Sequence, residues 1–93
     1  MSRTITHNRQ EQRFEWTEDE LLCVLDYELR DGLMTITHTG VPSAVGGRGI
    51  AADLTRHALD TARQAGWKVR PLCSYAVGFI QRHTDYQDLV VQG

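Results

Sequence analysis

Ninety-three residues, 41% of them hydrophobic and 24% charged, with a formal net charge of −2, set the scale of one domain over residues 1–93 with no room for a second core. No basic excess is present to neutralise a nucleic-acid backbone, which argues against DNA or RNA binding. No apolar run approaches a membrane span, the amino-terminal Met-Ser-Arg-Thr-Ile-Thr-His lacks the apolar core of a secretion signal, and Cys23 and Cys73 show neither metal-type nor redox-type spacing, which fits a cytoplasmic setting.

Thr4 to His7 and Arg13 to Trp16 read as short strands around a polar bend, Asn8 to Gln12. Leu21 to Arg30 alternates, with Leu21, Cys23, Leu25, Tyr27 and Leu29 on one face and Asp26, Glu28 and Arg30 on the other. Asp31-Gly32 is a two-residue hairpin signal, so Leu33 to Val41 returns as the partner strand. That turn pairs Arg30 with Leu33, Leu29 with Met34, Tyr27 with Ile36 and Leu25 with His38. After Pro42 comes a glycine-rich run, Val45-Gly46-Gly47-Arg48-Gly49, and then a predicted helix from Gly49 to Ala65. Its apolar stripe is Ile50, Leu54, Ala58 and Ala62, widened by Ala51 and Leu59. Gly66 is a left-handed stop. Lys68 to Cys73 is a further strand, and Ser74 is placed to cap a second helix through about Arg82. The tail from His83 to Gly93 holds Leu89-Val90-Val91, a docked turn or short edge strand. The order is an antiparallel meander followed by helix, strand and helix, an α+β fold with a mixed sheet and one crossover.

The glycine run carries the strongest chemical signal. Glycines let a backbone approach a bound group closely, and a helix start leaves several N–H donors unpaired. With the positive end of the helix dipole these make an anion site, most often for phosphate. Gly47, Gly49 and Ala52 fit the dinucleotide fingerprint, but that motif needs a preceding βαβ strand and an acidic residue about 20 positions on. The next strand offers Lys68 and Arg70 instead, and no Gly-Lys-Ser/Thr follows for a P-loop.

Gly46-Gly47-Arg48-Gly49-Ile50-Ala51 resembles the acyl-CoA pyrophosphate loop of GNAT acetyltransferases, usually written Gln/Arg-x-x-Gly-x-Gly/Ala. Gly49 and Ala51 match its fourth and sixth positions, and Gly46 stands where Gln or Arg is usual. The wider series Arg13-Phe14, Leu25-x-Tyr27, Ile36-x-His38-Thr39-x-Val41-Pro42, Ala62-Arg63, Val69-x-Pro71-x-Cys73-x-Tyr75 and Arg82-His83-x-x-Tyr86-x-Asp88-Leu89 is similar to the small single-domain GNAT-like N-acetyltransferases. It spans nearly the whole chain.

This resemblance implies a shortened GNAT fold that binds acetyl-CoA or CoA and transfers acetyl to an unidentified amine, as monomer or homodimer. Gly46, Gly47, Arg48, Gly49, Ile50 and Ala51 would hold the pyrophosphate. Thr39 and Val41, at the end of the returning strand, would lie along the pantetheine arm and orient the thioester carbonyl. Arg82 and His83 could touch CoA phosphates, although cations at a helix C-terminus explain both equally well. The tyrosine that serves many GNAT enzymes as acid toward the CoA sulfur is replaced at the aligned position by Phe79, which leaves Tyr75 as a substitute.

Cys73 would lie beside the thioester, where a thiolate could accept the acyl group; the alternative is a small buried thiol used for packing. His38 could act as general base or could be a hydrogen-bonded core residue. Cys23 reads as structural, and no histidine spacing suggests a metal site. Two rivals to the transferase stay open: a CoA-binding module with little or no turnover, and a thiol-reactive protein centred on Cys73.

Overall fold

The computed structural model describes residues 3–91. Strands β1 (Thr6–Asn8), β2 (Arg13–Glu18), β3 (Leu21–Arg30), β4 (Leu33–Gly40) and β5 (Lys68–Pro71) form one sheet in chain order. The first four are antiparallel neighbours, and β5 joins β4 in parallel through the crossover helix α1 (Ile50–Ala65). Helix α2 (Ser74–Arg82) follows, and single 3₁₀ segments cover Ser43–Val45 and Thr84–Leu89. This is the expected α+β class with a mixed sheet. No helix among the described residues is long and apolar enough to cross a membrane.

The β3–β4 hairpin forms because Asp31 and Gly32 both take left-handed backbone angles, φ 52° and 77°, as a tight turn matched to strand twist requires. Arg30 faces Leu33, Leu29 faces Met34 and Tyr27 faces Ile36, as the alternation predicts. The expected pairing of Leu25 with His38 does not form. A bulge opposite the Asp26–Tyr27 step leaves Thr37 unpaired, so Leu25 faces Thr39 and His38 faces Asp26. One extra residue exchanges the two faces of everything beyond it. His38 is therefore exposed, and its imidazole lies over Gly40, where a Cβ would meet Nε2 at 2.9 Å.

Other boundaries shift by a residue or two. β1 begins at Thr6, β2 runs on to Glu18, β4 stops at Gly40 and β5 at Pro71. The tail does both things expected of it. It docks as a 3₁₀ segment, and Val90 then forms a parallel bridge to Val69, where the Val91 N–H donates to the Val69 carbonyl at 3.0 Å. Gln92 and Gly93 lie outside the described residues.

Both helices pack on one face of the sheet. Ile50, Leu54 and Leu59 from α1 and Phe79 from α2 are fully buried against Phe14, Leu25, Met34 and Ile36. Each large aliphatic side chain so buried stabilises the fold by about 2 kcal/mol. Gly66 ends α1 at φ 75°, and its N–H returns to the Ala62 and Arg63 carbonyls. The opposite face of the sheet stays open, with Leu22, Glu28 and Arg30 of β3 exposed.

β1 is held by a small aromatic cluster. His7 stacks on Phe14 at 4.2 Å and shares a 2.6 Å hydrogen bond with the buried Tyr27 hydroxyl. Burial, helped by the Arg9 charge, pushes His7 below its ordinary value of 6.5. The folded state thus binds this proton less readily than the unfolded chain does. The stability contributed is complete above pH 6.5 and falls as pH drops through the lower folded value. Thermal melts between pH 7.5 and 5 should show the wild type losing stability faster than His7→Gln as the solution is acidified; parallel curves would remove His7 from the pH dependence.

Candidate functional site

The site begins where β4 ends. After Pro42 a 3₁₀ turn buries Val45 and returns the Gly46 N–H to the Ser43 carbonyl at 3.1 Å. Gly47 and Gly49 then adopt φ 77° and 83°, left-handed angles that side chains resist. A Cβ at either would meet no heavy atom within 4 Å, so the loop presents bare backbone to open space. Gly49 is the residue before α1, and the first helical bond is that of the Asp53 N–H to the Gly49 carbonyl, at 3.1 Å. The N–H groups of Ile50, Ala51 and Ala52 come before any intrahelical partner is available. Together with the helix dipole they form a set of donors suited to phosphate oxygens.

These donors line a cleft of about 250 Å³ bounded by Val41, Gly46, Gly47, Gly49, Ile50, Ala51, Ala52 and Tyr75. Six predicted cofactor residues are thus brought together, joined by Tyr75 and by Ala52. Ala52 was legible as the third residue of the helix, whose N–H is also unpaired. Arg48 differs from its neighbours. Its guanidinium turns away to Glu18 and Asp19, at 3.1 and 3.0 Å, while Arg3 donates to the Arg48 carbonyl at 2.7 Å and pairs with Asp53. The Trp16 indole N–H and then Arg48 hold the Glu18 carboxyl below the usual carboxylate range. Arg48 therefore braces the loop from outside, and what it can offer a ligand is its backbone.

A second opening adjoins the cleft. Strands β4 and β5 pair only as far as Ile36 and Pro71, and the Leu72 and Cys73 N–H groups both converge on the Ile36 carbonyl, at 3.0 and 3.3 Å. Beyond that point the bulged β4 diverges from the chain leading into α2. Thr39 Oγ1 and Cys73 Sγ span the gap in a 3.3 Å contact. Cys73, rather than the expected Ser74, caps α2: its sulfur accepts the Ala76 N–H at 3.3 Å. Tyr75 follows in the first turn of α2 and faces the glycine loop. Of the three tyrosines, Tyr27 bonds His7 and Tyr86 donates to Asp60 at 2.7 Å. The Tyr86 hydroxyl is pushed up to about 12, first by burial and then by Asp60. Tyr75 alone has a hydroxyl with no partner among the described residues.

The remaining candidates stand apart from the cleft. His38 is on the open face of the sheet. His83 ends α2, stacked on Phe79 at 4.0 Å with Nδ1 placed 2.9 Å from the Phe79 carbonyl. Arg82 is exposed in the last turn of α2. Phe79 is wholly buried beneath the guanidinium of Arg56, which lies 5.6 Å from the ring centre. Arg56 stands on the flank of α1 that faces α2, outside the apolar stripe read from the sequence.

The sequence model of the GCN5-related N-acetyl-transferases matches residues 13–89. Among solved structures, the chain is similar to a GCN5-like candidate N-acetyltransferase from Staphylococcus aureus determined by NMR in solution. The two superpose with a TM-score of 0.75 at 29% identity, over 100% of this chain and 93% of the other.

Proposed function

The chain belongs to the GCN5-related N-acetyltransferase family, and on that premise we propose that it transfers an acetyl group from acetyl-CoA to an amine. The observation that carries the proposal is the left-handed Gly47–Gly49 loop opening α1, in a cleft also lined by Tyr75, whose hydroxyl has no partner among the described residues. Bare backbone and unpaired N–H groups suit the pyrophosphate of CoA, and a Cβ at Gly47 or Gly49 would meet no heavy atom within 4 Å. Bound acetyl-CoA supplies a thioester carbonyl already activated toward amines.

The chain's own groups supply the rest. The backbone donors of Gly47 through Ala52 anchor the phosphates and fix the direction of entry. The free main chain of β4 beyond Ile36, at Thr39 and toward Val41, orients the acyl arm in the gap beside β5. The Tyr75 hydroxyl delivers a proton to the departing thiolate. Cys73 shapes the bottom of the gap through Thr39 and caps α2. Among the described residues its sulfur's hydrogen-bond partners are the Thr39 hydroxyl and the Ala76 N–H, neither of them a base, which favours direct transfer over an acyl-cysteine. The open sheet face leaves the far side of the gap accessible to an amine.

One feature favours the second reading, a CoA-binding module without turnover: Phe79, which the resemblance sets at the position of the usual acid, cannot donate a proton and is wholly buried. Calorimetric titration with acetyl-CoA, using NAD and adenosine diphosphate as controls, followed by thiol release over an amine panel, decides between them. Saturable micromolar binding with NAD silent, and thiol release with some amine, is the expected result. Binding without release on any amine would replace the transferase by the binding module. No binding would overturn both.

A further inference from the structure

We infer that the groove between α1 and α2 is a second phosphate site, which takes the ribose 3′-phosphate at the nucleotide end of CoA on Arg82 and Arg56. The inference rests on the CoA reading above and goes beyond it, because the glycine loop alone does not distinguish CoA from its dephosphorylated form.

Three features build the groove. Tyr75, which borders the glycine-loop cleft, and Arg82 are seven residues apart on α2 and so share one flank two turns apart. Between them stands Gly78. Arg82 Nη1 lies 3.5 Å from where a Gly78 Cβ would be, so the guanidinium is folded back along the helix toward Tyr75. Across the groove Ala52 borders the same cleft, and Arg56 follows it by one helical turn on α1 with its guanidinium over the Phe79 ring. Two cations from two helices therefore stand beyond the end of the cleft that presents backbone donors.

Their partners distinguish them from Arg48 and Arg63, the other arginines of the glycine loop and α1. Arg48 is fixed by Glu18 and Asp19, and Arg63 by Asp88. Arg82 has no carboxylate partner among the described residues. Arg56 touches one carboxylate, Asp53, at 3.2 Å, and Asp53 is shared with Arg3. An exposed guanidinium held back along its helix without an acid is suited to a bidentate phosphate contact. CoA carries one phosphate besides the pyrophosphate, on the ribose a few atoms beyond it. A ligand whose pyrophosphate lies on the α1 N-terminus and whose nucleotide runs along the groove brings that group to Arg82 and Arg56.

The test is titration of the wild type, Arg82→Gln and Arg56→Gln with CoA and with 3′-dephospho-CoA. The wild type should bind CoA about tenfold more tightly than dephospho-CoA, the scale of one charge-assisted contact. Arg82→Gln should lose most of that preference by weakening CoA alone, with dephospho-CoA affinity unchanged. Arg56→Gln should do the same, and a melting curve separates any loosening of Phe79 packing. Equal affinity of the wild type for the two ligands, or variants that weaken both alike, overturns the second site and leaves the CoA reading standing. Failure of the wild type to bind either ligand overturns both.

Discussion

Gly49→Val should abolish acetyl-CoA binding while the protein stays folded. Gly49 sits at φ 83°, a region that costs a side chain about 1–3 kcal/mol, with β-branched residues at the upper end. A domain stable by about 5–15 kcal/mol survives that. Its chain neighbours aside, no heavy atom among the described residues lies within 4 Å of the new Cβ, and Gly49 lines the cleft, so the side chain takes up space where the phosphates would be held. Gly66→Val is the control, because it imposes the same kind of backbone penalty at φ 75° on the far end of α1. Both variants should melt a few degrees below wild type, and only Gly49→Val should lose the calorimetric signal. Wild-type affinity in Gly49→Val would remove the loop from the site.

Tyr75→Phe should lower kcat by about 10²- to 10⁴-fold, the range for loss of a positioned general acid. The dissociation constant for acetyl-CoA should not change, since the ring still lines the cleft. Cys73→Ser is the companion measurement. Serine caps a helix at least as well as cysteine and keeps a hydroxyl beside Thr39, so under direct transfer it retains both stability and turnover. A Tyr75→Phe enzyme of normal rate, or a Cys73→Ser enzyme that is dead, would transfer the chemistry from the phenol to the thiol.

How far the sequence could be read depended on whether a feature was local. The Asp31-Gly32 hairpin, the α1 stripe and the Gly66 stop are decided within a few residues, and each formed as expected. The glycine loop was equally legible, because left-handed angles and unpaired N–H groups are properties of the segment itself. The bulge at Thr37 was not. Met34, Ile36 and His38 continue an unbroken alternation, and histidine suits either face, so nothing local reveals that β4 gains a residue. That one insertion carried His38 from the expected cleft to the open face of the sheet.

The cap of α2 slipped by one residue for a different reason: Cys73 and Ser74 both offer an acceptor, and the convergence of two N–H groups on the Ile36 carbonyl decides where the strand gives way to the helix. Arg56 was invisible as a site residue because its role depends on how α1 lies against α2. Helical spacing gives the flank on which it stands but not the ring that it meets.

The Val69–Val90 bridge bears on how these molecules meet one another. A sheet edge with free N–H and C=O groups invites a strand from a neighbour, the first step of many aggregates. On the β5 side the Val69 carbonyl is already taken by the Val91 N–H, and Pro71 has no N–H to offer. At the other side β1 is only three residues long. A concentrated solution of this protein therefore gains little from stacking sheets edge to edge, and clipping the chain before Val90 would uncover the longer of its two borders.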